Sequence, residues 1–181
     1  LDGLPSPRGG GAGAEGEVAF GSERRVSRLR RVAGARSGRA AHCGAYAVTG
    51  GLGGLGLRGA ALLVELGASR VVLASRSGRV ARDGQGLEAQ LRSLGTAAEA
   101  VACDSADACE TGALCCARPL TGVLHAAGVL RDRLLRSLTA VEVDAVLAPK
   151  ALAASHIARA TSCQPLEAMC LFSSITSTFG T

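Results

Sequence analysis

Apolar and polar positions in this chain repeat in one order: a short apolar run, a polar or glycine-rich loop, then a stretch with helical spacing. The first clear run, about residues 45–49, opens onto Gly50-Gly51-Leu52-Gly53-Gly54-Leu55-Gly56. A helical pattern follows over about 54–66, with Leu57, Ala60, Ala61, Leu62, Val64 and Leu66 apolar, and stops at Gly67. A second strand is expected at Val71–Ser75, a polar loop from Arg76 to Gly86, a helix near 87–94, a third strand at about 97–102 and a short helix over 106–117. A fourth strand is expected at Gly122–Ala126 and a fifth at Ala168–Phe172. Between them Thr139-Ala140-Val141-Glu142 has capping-box form, so a helix begins there, and Pro149 should kink it or start a second segment. Upstream, residues 17–30 read as two short alternating strands around a turn, and residues 1–16 as a flexible glycine- and proline-rich linker.

Strands that alternate with helices argue for a parallel sheet covered on both faces. The expected fold is α/β, a doubly wound parallel sheet of Rossmann type, incomplete, with a short N-terminal extension. In such sheets ligands bind outside the carboxyl ends of the strands, which makes the residues just after each strand the candidates for chemistry.

Strand, glycine loop and helix in that order form the entry to a nucleotide-binding unit. Glycines let backbone N–H groups approach a pyrophosphate, and the helix N-terminus adds partial positive charge. The candidates here are Thr49, Gly50, Gly51, Leu52, Gly53, Gly54 and Leu55. No Gly-Lys-Ser/Thr follows the loop, since Gly56 is followed by Leu57-Arg58, and this excludes a P-loop nucleotidase. After the second strand, Ser75-Arg76-Ser77-Gly78 offers a guanidinium where an NAD site wants a carboxylate. No acid occurs between Glu65 and Asp83, so a 2′-phosphate and NADP are favoured. After the third strand, Asp104, between Cys103 and Ser105, either accepts from an adenine amino group or caps a helix starting at Ala106. After the fourth, His125-Ala126-Ala127-Gly128 lets the backbone pass close to a ribose, with His125 itself either a general base or, more commonly, a hydrogen-bonded core residue. Lys150 is the only lysine among 20 basic residues, and no other charge occurs between Asp144 and Arg159. It either snorkels to water or serves a polar site with Ser173 and Ser174 at the end of the fifth strand.

Composition removes several classes. The net charge of +5 is concentrated in arginines of residues 23–39, yet that stretch has no aromatic for base stacking, which disfavours nucleic acid as a partner. Seven cysteines include no Cys-x-x-Cys pair, so neither a metal site nor a disulfide framework is expected. No apolar stretch is long enough to span a bilayer, and a cytoplasmic setting without membrane contact is the expectation.

Taken in order, Val48-Thr49-Gly50-Gly51-Leu52-Gly53-Gly54-Leu55-Gly56, Leu73-Ala74-Ser75-Arg76-Ser77-Gly78, Cys103-Asp104, Gly122-Val123-Leu124-His125-Ala126-Ala127-Gly128-Val129, Pro149-Lys150 and Leu171-Phe172-Ser173-Ser174 resemble the ketoreductase domains of type I polyketide and fatty acid synthases, within the short-chain dehydrogenase/reductase superfamily. The resemblance covers about residues 44–181, and residues 17–43 look like the tail of the structural subdomain that precedes it. It implies NADPH-dependent reduction of a β-ketoacyl thioester, tethered through phosphopantetheine to an acyl carrier protein, beside neighbouring synthase domains. By position Lys150 is the family's catalytic lysine and Ser174 its serine, while Ser173 joins the cofactor-binding set with the strand-end residues above. Three departures accompany the resemblance. The family's tyrosine would follow Ser174 by about a dozen residues, and the only tyrosine here is Tyr46, so this stretch alone is expected not to turn over. The segment from Asp104 to His125 is several residues short, which implies a truncated or rerouted helix near Cys115-Cys116. Leu130-Arg131-Asp132 carries one aspartate where some members carry two.

Overall fold

The computed structural model describes residues 17–20, 23–26, 43–80 and 85–174. The linker expected over 1–16, and most of the arginine-rich stretch and of the subdomain tail, lie outside the described residues. Two compact units are present, and the division places the N-terminal residues with Ser173 onward in one and the remainder, through Phe172, in the other. In the first unit β1 (Glu17–Phe20) and β2 (Glu23–Val26) pair antiparallel, Glu17 opposite Val26 and Phe20 opposite Glu23. This is the pair of short strands the alternation predicts.

The second unit carries a five-stranded parallel sheet. Its strands are β3 (Ala45–Thr49), β4 (Arg70–Ser75), β5 (Ala98–Ala102), β6 (Gly122–His125) and β7 (Ala168–Leu171), in the spatial order β5-β4-β3-β6-β7. Central β3 pairs on both sides, with Ala47 level with Val72 and with Val123. Strands buried on both faces lose the polar alternation, which is why β3 and β4 read as unbroken apolar runs.

Side chains of β3 point alternately to two cores. Tyr46 and Val48 join Leu52, Leu57, Leu63, Val71, Leu73 and Leu87 under α1 (Gly54–Glu65) and α2 (Leu87–Ser93). Ala47 faces the other way, with Cys115, Leu120, Val123 and Ile157, under α3 (Ala108–Cys116) and α5 (Ala153–Ala160). Tyr46 is accommodated because its ring lies over a glycine: a Cβ at Gly122 would stand 2.7 Å from Tyr46 Cε1. Helix α1 stops in a Schellman motif, with Gly67 at φ +101°, its amide donating to Val64 O (3.0 Å) and that of Ala68 to Leu63 O (2.9 Å).

One expectation is corrected. The third helix begins at Ala108 and not Ala106, because Asp107 is its N-cap: Asp107 Oδ1 accepts from the amides of Cys109 (2.8 Å) and Glu110 (2.9 Å). Asp104 instead closes a tight turn, accepting from the Ala106 amide at 3.0 Å. The helix that follows is nine residues long and ends at Cys116. Gln164 secures its end, donating to Cys115 O (2.8 Å) and accepting from the Leu120 amide (3.3 Å).

At Pro149 the second of the two expected outcomes is met: the proline stands in the first turn of a further helical segment, Ala148–Leu152. Helix α4 (Ala140–Leu147), opened by the Thr139–Glu142 capping box, runs through a π-helical turn (Ala148–Leu152) directly into α5. Proline lacks the N–H an α-turn needs and its ring crowds the preceding carbonyl; a wider turn, in which the Ala153 amide reaches back to Ala148 O, absorbs both defects. Among the described residues no helix is long and apolar enough to cross a membrane.

Candidate functional site

All five strands run the same way, so the loops after β3, β4, β5 and β6 meet at one edge of the sheet. There they line a cleft of about 590 Å³.

The loop after β3 is built for close approach. Gly50 sits at φ +68°, and a Cβ on it would lie 2.6 Å from the amide nitrogen of Ala127. At Gly51 a Cβ would meet Val48 O at 2.5 Å and Leu73 Cα at 2.8 Å. Leu52, fully buried, pins the loop to the core. Helix α1 then starts at an N-cap, Gly53, that offers no side-chain acceptor, with no acid in the first turn. The first-turn amides are thus left for a ligand, and the helix dipole favours an anionic one.

Ser75, Arg76, Ser77 and Arg79 contribute to the cleft after β4. Ser77 Oγ accepts from the Arg79 amide at 3.2 Å, which folds the loop so that both guanidinium-bearing residues face one hollow. Ser75 Oγ is buried without a hydrogen-bond partner. A buried hydroxyl left so costs about 1–3 kcal/mol, and an incoming polar ligand would relieve it. After β5, Cys103, Asp104 and Ser105 line the wall. Burial, with Glu110 and Asp104 nearby, pushes the Cys103 thiol up to about 11. It is therefore a neutral, weakly polar wall at physiological pH.

After β6 come Ala126, Ala127, Gly128 and Val129, joined in the lining by Pro149 of the π-turn. Gly128 has a specific neighbour: a Cβ there would lie 3.0 Å from Lys150 Cε and 3.8 Å from Nζ. The absent side chain is the space that the Lys150 stem occupies beside Gly128; Lys150 itself is not among the residues that line the cleft.

Of the residues singled out in the sequence, Gly50, Leu52, Gly53, Ser75, Arg76, Cys103, Asp104, Ser105, Ala126, Ala127 and Gly128 meet around the cleft. Thr49, Gly51 and His125 are buried behind it, Thr49 and His125 hydrogen-bonded to each other. Gly54 and Leu55 open α1 with exposed side positions, and Ser173 and Ser174 follow β7, also exposed. The sequence reading missed Arg79, Ser77, Val129 and Pro149 as cleft residues. The signal for Arg79 was present, a second arginine three residues after Arg76, but it was hidden among so many others. Among the described residues no three His, Cys, Asp or Glu side chains gather as a metal site requires.

Comparison with known proteins bears on this arrangement. The family model described as KR domain matches residues 44–181. A mycocerosic acid synthase-like polyketide synthase of Mycobacterium tuberculosis is 41% identical over 143 residues, covering 76% of this chain and 7% of its own length. The structure of an A1-type ketoreductase superposes with a TM-score of 0.75 at 38% identity, covering 94% of this chain and 38% of that one. A short-chain dehydrogenase/reductase of Brucella melitensis, 18% identical over 76% of this chain and 59% of its own, shares the fold at a TM-score of 0.61. The glycine loop, the strand-end residues and these matches agree: the chain belongs to the KR-domain family, the ketoreductase domains of modular polyketide synthases.

Proposed function

We propose that these residues hold the NADPH site, and part of the catalytic site, of a reductase acting on a β-ketoacyl thioester delivered by an acyl carrier protein within a larger synthase. The observation that carries this is the cleft itself, where an uncapped helix N-terminus and two arginines border one hollow of about 590 Å³, with the Lys150 stem packed on Gly128 of its wall. The pieces present fit a phosphorylated dinucleotide. Glycines 50–53 and the first turn of α1 would take the diphosphate, and Arg76 with Arg79 the 2′-phosphate. The unpartnered Ser75 hydroxyl would bond the ribose or its phosphate, and Asp104 the adenine amino group. NADPH supplies hydride for the carbonyl carbon.

The chain's own groups serve the oxygen. Reduction leaves negative charge on the carbonyl oxygen, which hydrogen-bond donors must stabilise. The Ser174 hydroxyl would donate to it. The Lys150 ammonium would hold a neighbouring phenol below its usual value of about 10 and so ready it to give up its proton. That phenol is not Tyr46, which is 2% exposed in β3 and raised further by burial. Residues 1–181 by themselves would therefore bind cofactor and fail to reduce substrate. A non-catalytic NADP-binding segment is the second reading, and the burial of the sole tyrosine favours it.

The test is twofold. The chain should bind NADPH at least tenfold more tightly than NADH; Arg76→Ala should reduce that preference, and Arg76→Ala with Arg79→Ala should abolish it. In a polypeptide that also carries a tyrosine donor, NADPH oxidation with a β-ketoacyl thioester mimic should collapse on Lys150→Ala and on Ser174→Ala. Activity that survives both changes together overturns the assignment; NADPH binding without any oxidation supports the second reading.

A further inference from the structure

His125 closes β6, is 3% exposed and touches two other elements. Its Nδ1 lies 2.6 Å from Thr49 Oγ1, at the end of β3. Its Nε2 lies 3.2 Å from the backbone oxygen of Lys150, in the π-turn. A carbonyl oxygen only accepts, so Nε2 carries the proton, Nδ1 is left as an acceptor, and the Thr49 hydroxyl donates to it. The result is a continuous hydrogen-bonded strut from the centre of the sheet, through the imidazole, to the one turn of the α4–α5 helix that departs from α-geometry. Burial holds the imidazole below its usual value, so the neutral form that the strut needs is the one present near neutral pH.

The residue gripped at its backbone by His125 is the residue whose side chain fills the space over Gly128. Where Lys150 Nζ comes to rest is set by both ends. A π-turn has few alternatives for fixing itself: this one contains a proline, which has no amide hydrogen, and lacks regular α-bonding, so an external donor to one of its carbonyls counts for more than in a straight helix.

We infer that His125 is a positioning residue, which ties the turn bearing Lys150 to the sheet and so sets the place of the Lys150 ammonium beside the wall of the cleft, without touching cofactor or substrate. This rests on the reading of Lys150 as part of the reductase site. A histidine that merely fills the core would contribute volume and no directed bond, and the two roles separate chemically. Glutamine can place its amide nitrogen near the Nε2 position and still donate to Lys150 O. Asparagine reaches only the Nδ1 position, and leucine offers shape without a donor.

Because Lys150 is the only lysine among the 181 residues, the chain grown with lysine labelled with carbon-13 at Cε reports that side chain as a single resonance. The expected result is that His125→Gln keeps the wild-type Lys150 resonance and its displacement by NADPH. His125→Asn and His125→Leu should shift the resonance before any cofactor is added and cut the NADPH-induced displacement to less than half, with the NADPH Kd within twofold of wild type. If all three variants keep the wild-type resonance, or all three change it equally, His125 is core filler and the inference is overturned. Should His125→Leu fail to fold, the contrast between Gln and Asn, two polar residues of similar size, still decides. Failure of the underlying site reading looks different: NADPH binds but leaves the wild-type Lys150 resonance unmoved, whatever the His125 variants do.

Discussion

Glycines of the β3–α1 loop look alike in sequence and differ sharply in what they tolerate. A Cβ on Gly56 would run into the backbone of Gly50 and Gly51, atoms that cannot swing aside. A Cβ on Gly54 would make an ordinary contact, 3.8 Å from Leu87 Cδ2. Gly56→Ala should therefore destabilise the domain by about 1–3 kcal/mol. Gly54→Ala, in the first turn of α1, should be neutral or stabilise by up to about 1 kcal/mol. Urea unfolding of the two variants checks both signs, and NADPH binding should survive only the second. At this scale the sequence located the loop but could not rank the glycines, because ranking depends on which backbone passes behind each one. His125 was legible only as two alternatives; its partners Thr49 and Lys150 are 76 and 25 residues away along the chain.

Elements were more legible than residues where a local signal marks the boundary. The capping box at Thr139–Glu142 and the glycine stop at Gly67 fall where the sequence puts them, since both act over one turn. Helix α3 was misplaced by two residues because Asp104 and Asp107 are both credible caps, and only the geometry shows which carboxylate meets the free amides. Asp107→Ala should cost about 1 kcal/mol of stability, read as a lower urea midpoint, with NADPH affinity unchanged. Pro149 announced a further segment with proline in its first turn, but not the π geometry of that turn. Whether a proline breaks, kinks or widens a helix depends on what the two halves pack against, and here Ala153 and Ile157 hold α5 in the core just beyond it.

For the molecule as a whole, the parallel sheet was legible from the alternation of strands and helices, and the edge where the cleft lies from the strand ends, whereas the strand order was not. Nor was the electrostatic state of the molecule, which arises from burial. His125 has its folded-state value lowered from 6.5, so below that pH the unfolded chain takes up the proton more readily than the folded one. Stability should be constant above about pH 6.5 and fall as pH drops through it. Cys103 and Cys115 are raised from 9 to about 11, both chiefly by desolvation, so the unfolded chain loses these protons first. Stability should thus be level below pH 9 and decline between 9 and about 11. Unfolding midpoints measured from pH 5 to 10.5 should trace a plateau bounded on both sides, and His125→Gln should flatten its acid shoulder.

The seven thiols also divide by exposure, and the division falls usefully for the cleft. Cys43, Cys109, Cys116, Cys163 and Cys170 are exposed, whereas Cys103, in the wall of the cleft, and Cys115 are buried. Peroxide attacks the thiolate, so a group that stays protonated far above neutrality is spared while ordinary surface thiols react. Under oxidative challenge five cysteines should form sulfenic acid or adducts before either buried one, and NADPH should still bind after those five are consumed. The periphery would act as a sacrificial coat, with the wall of the cleft that carries Cys103 the last to be damaged.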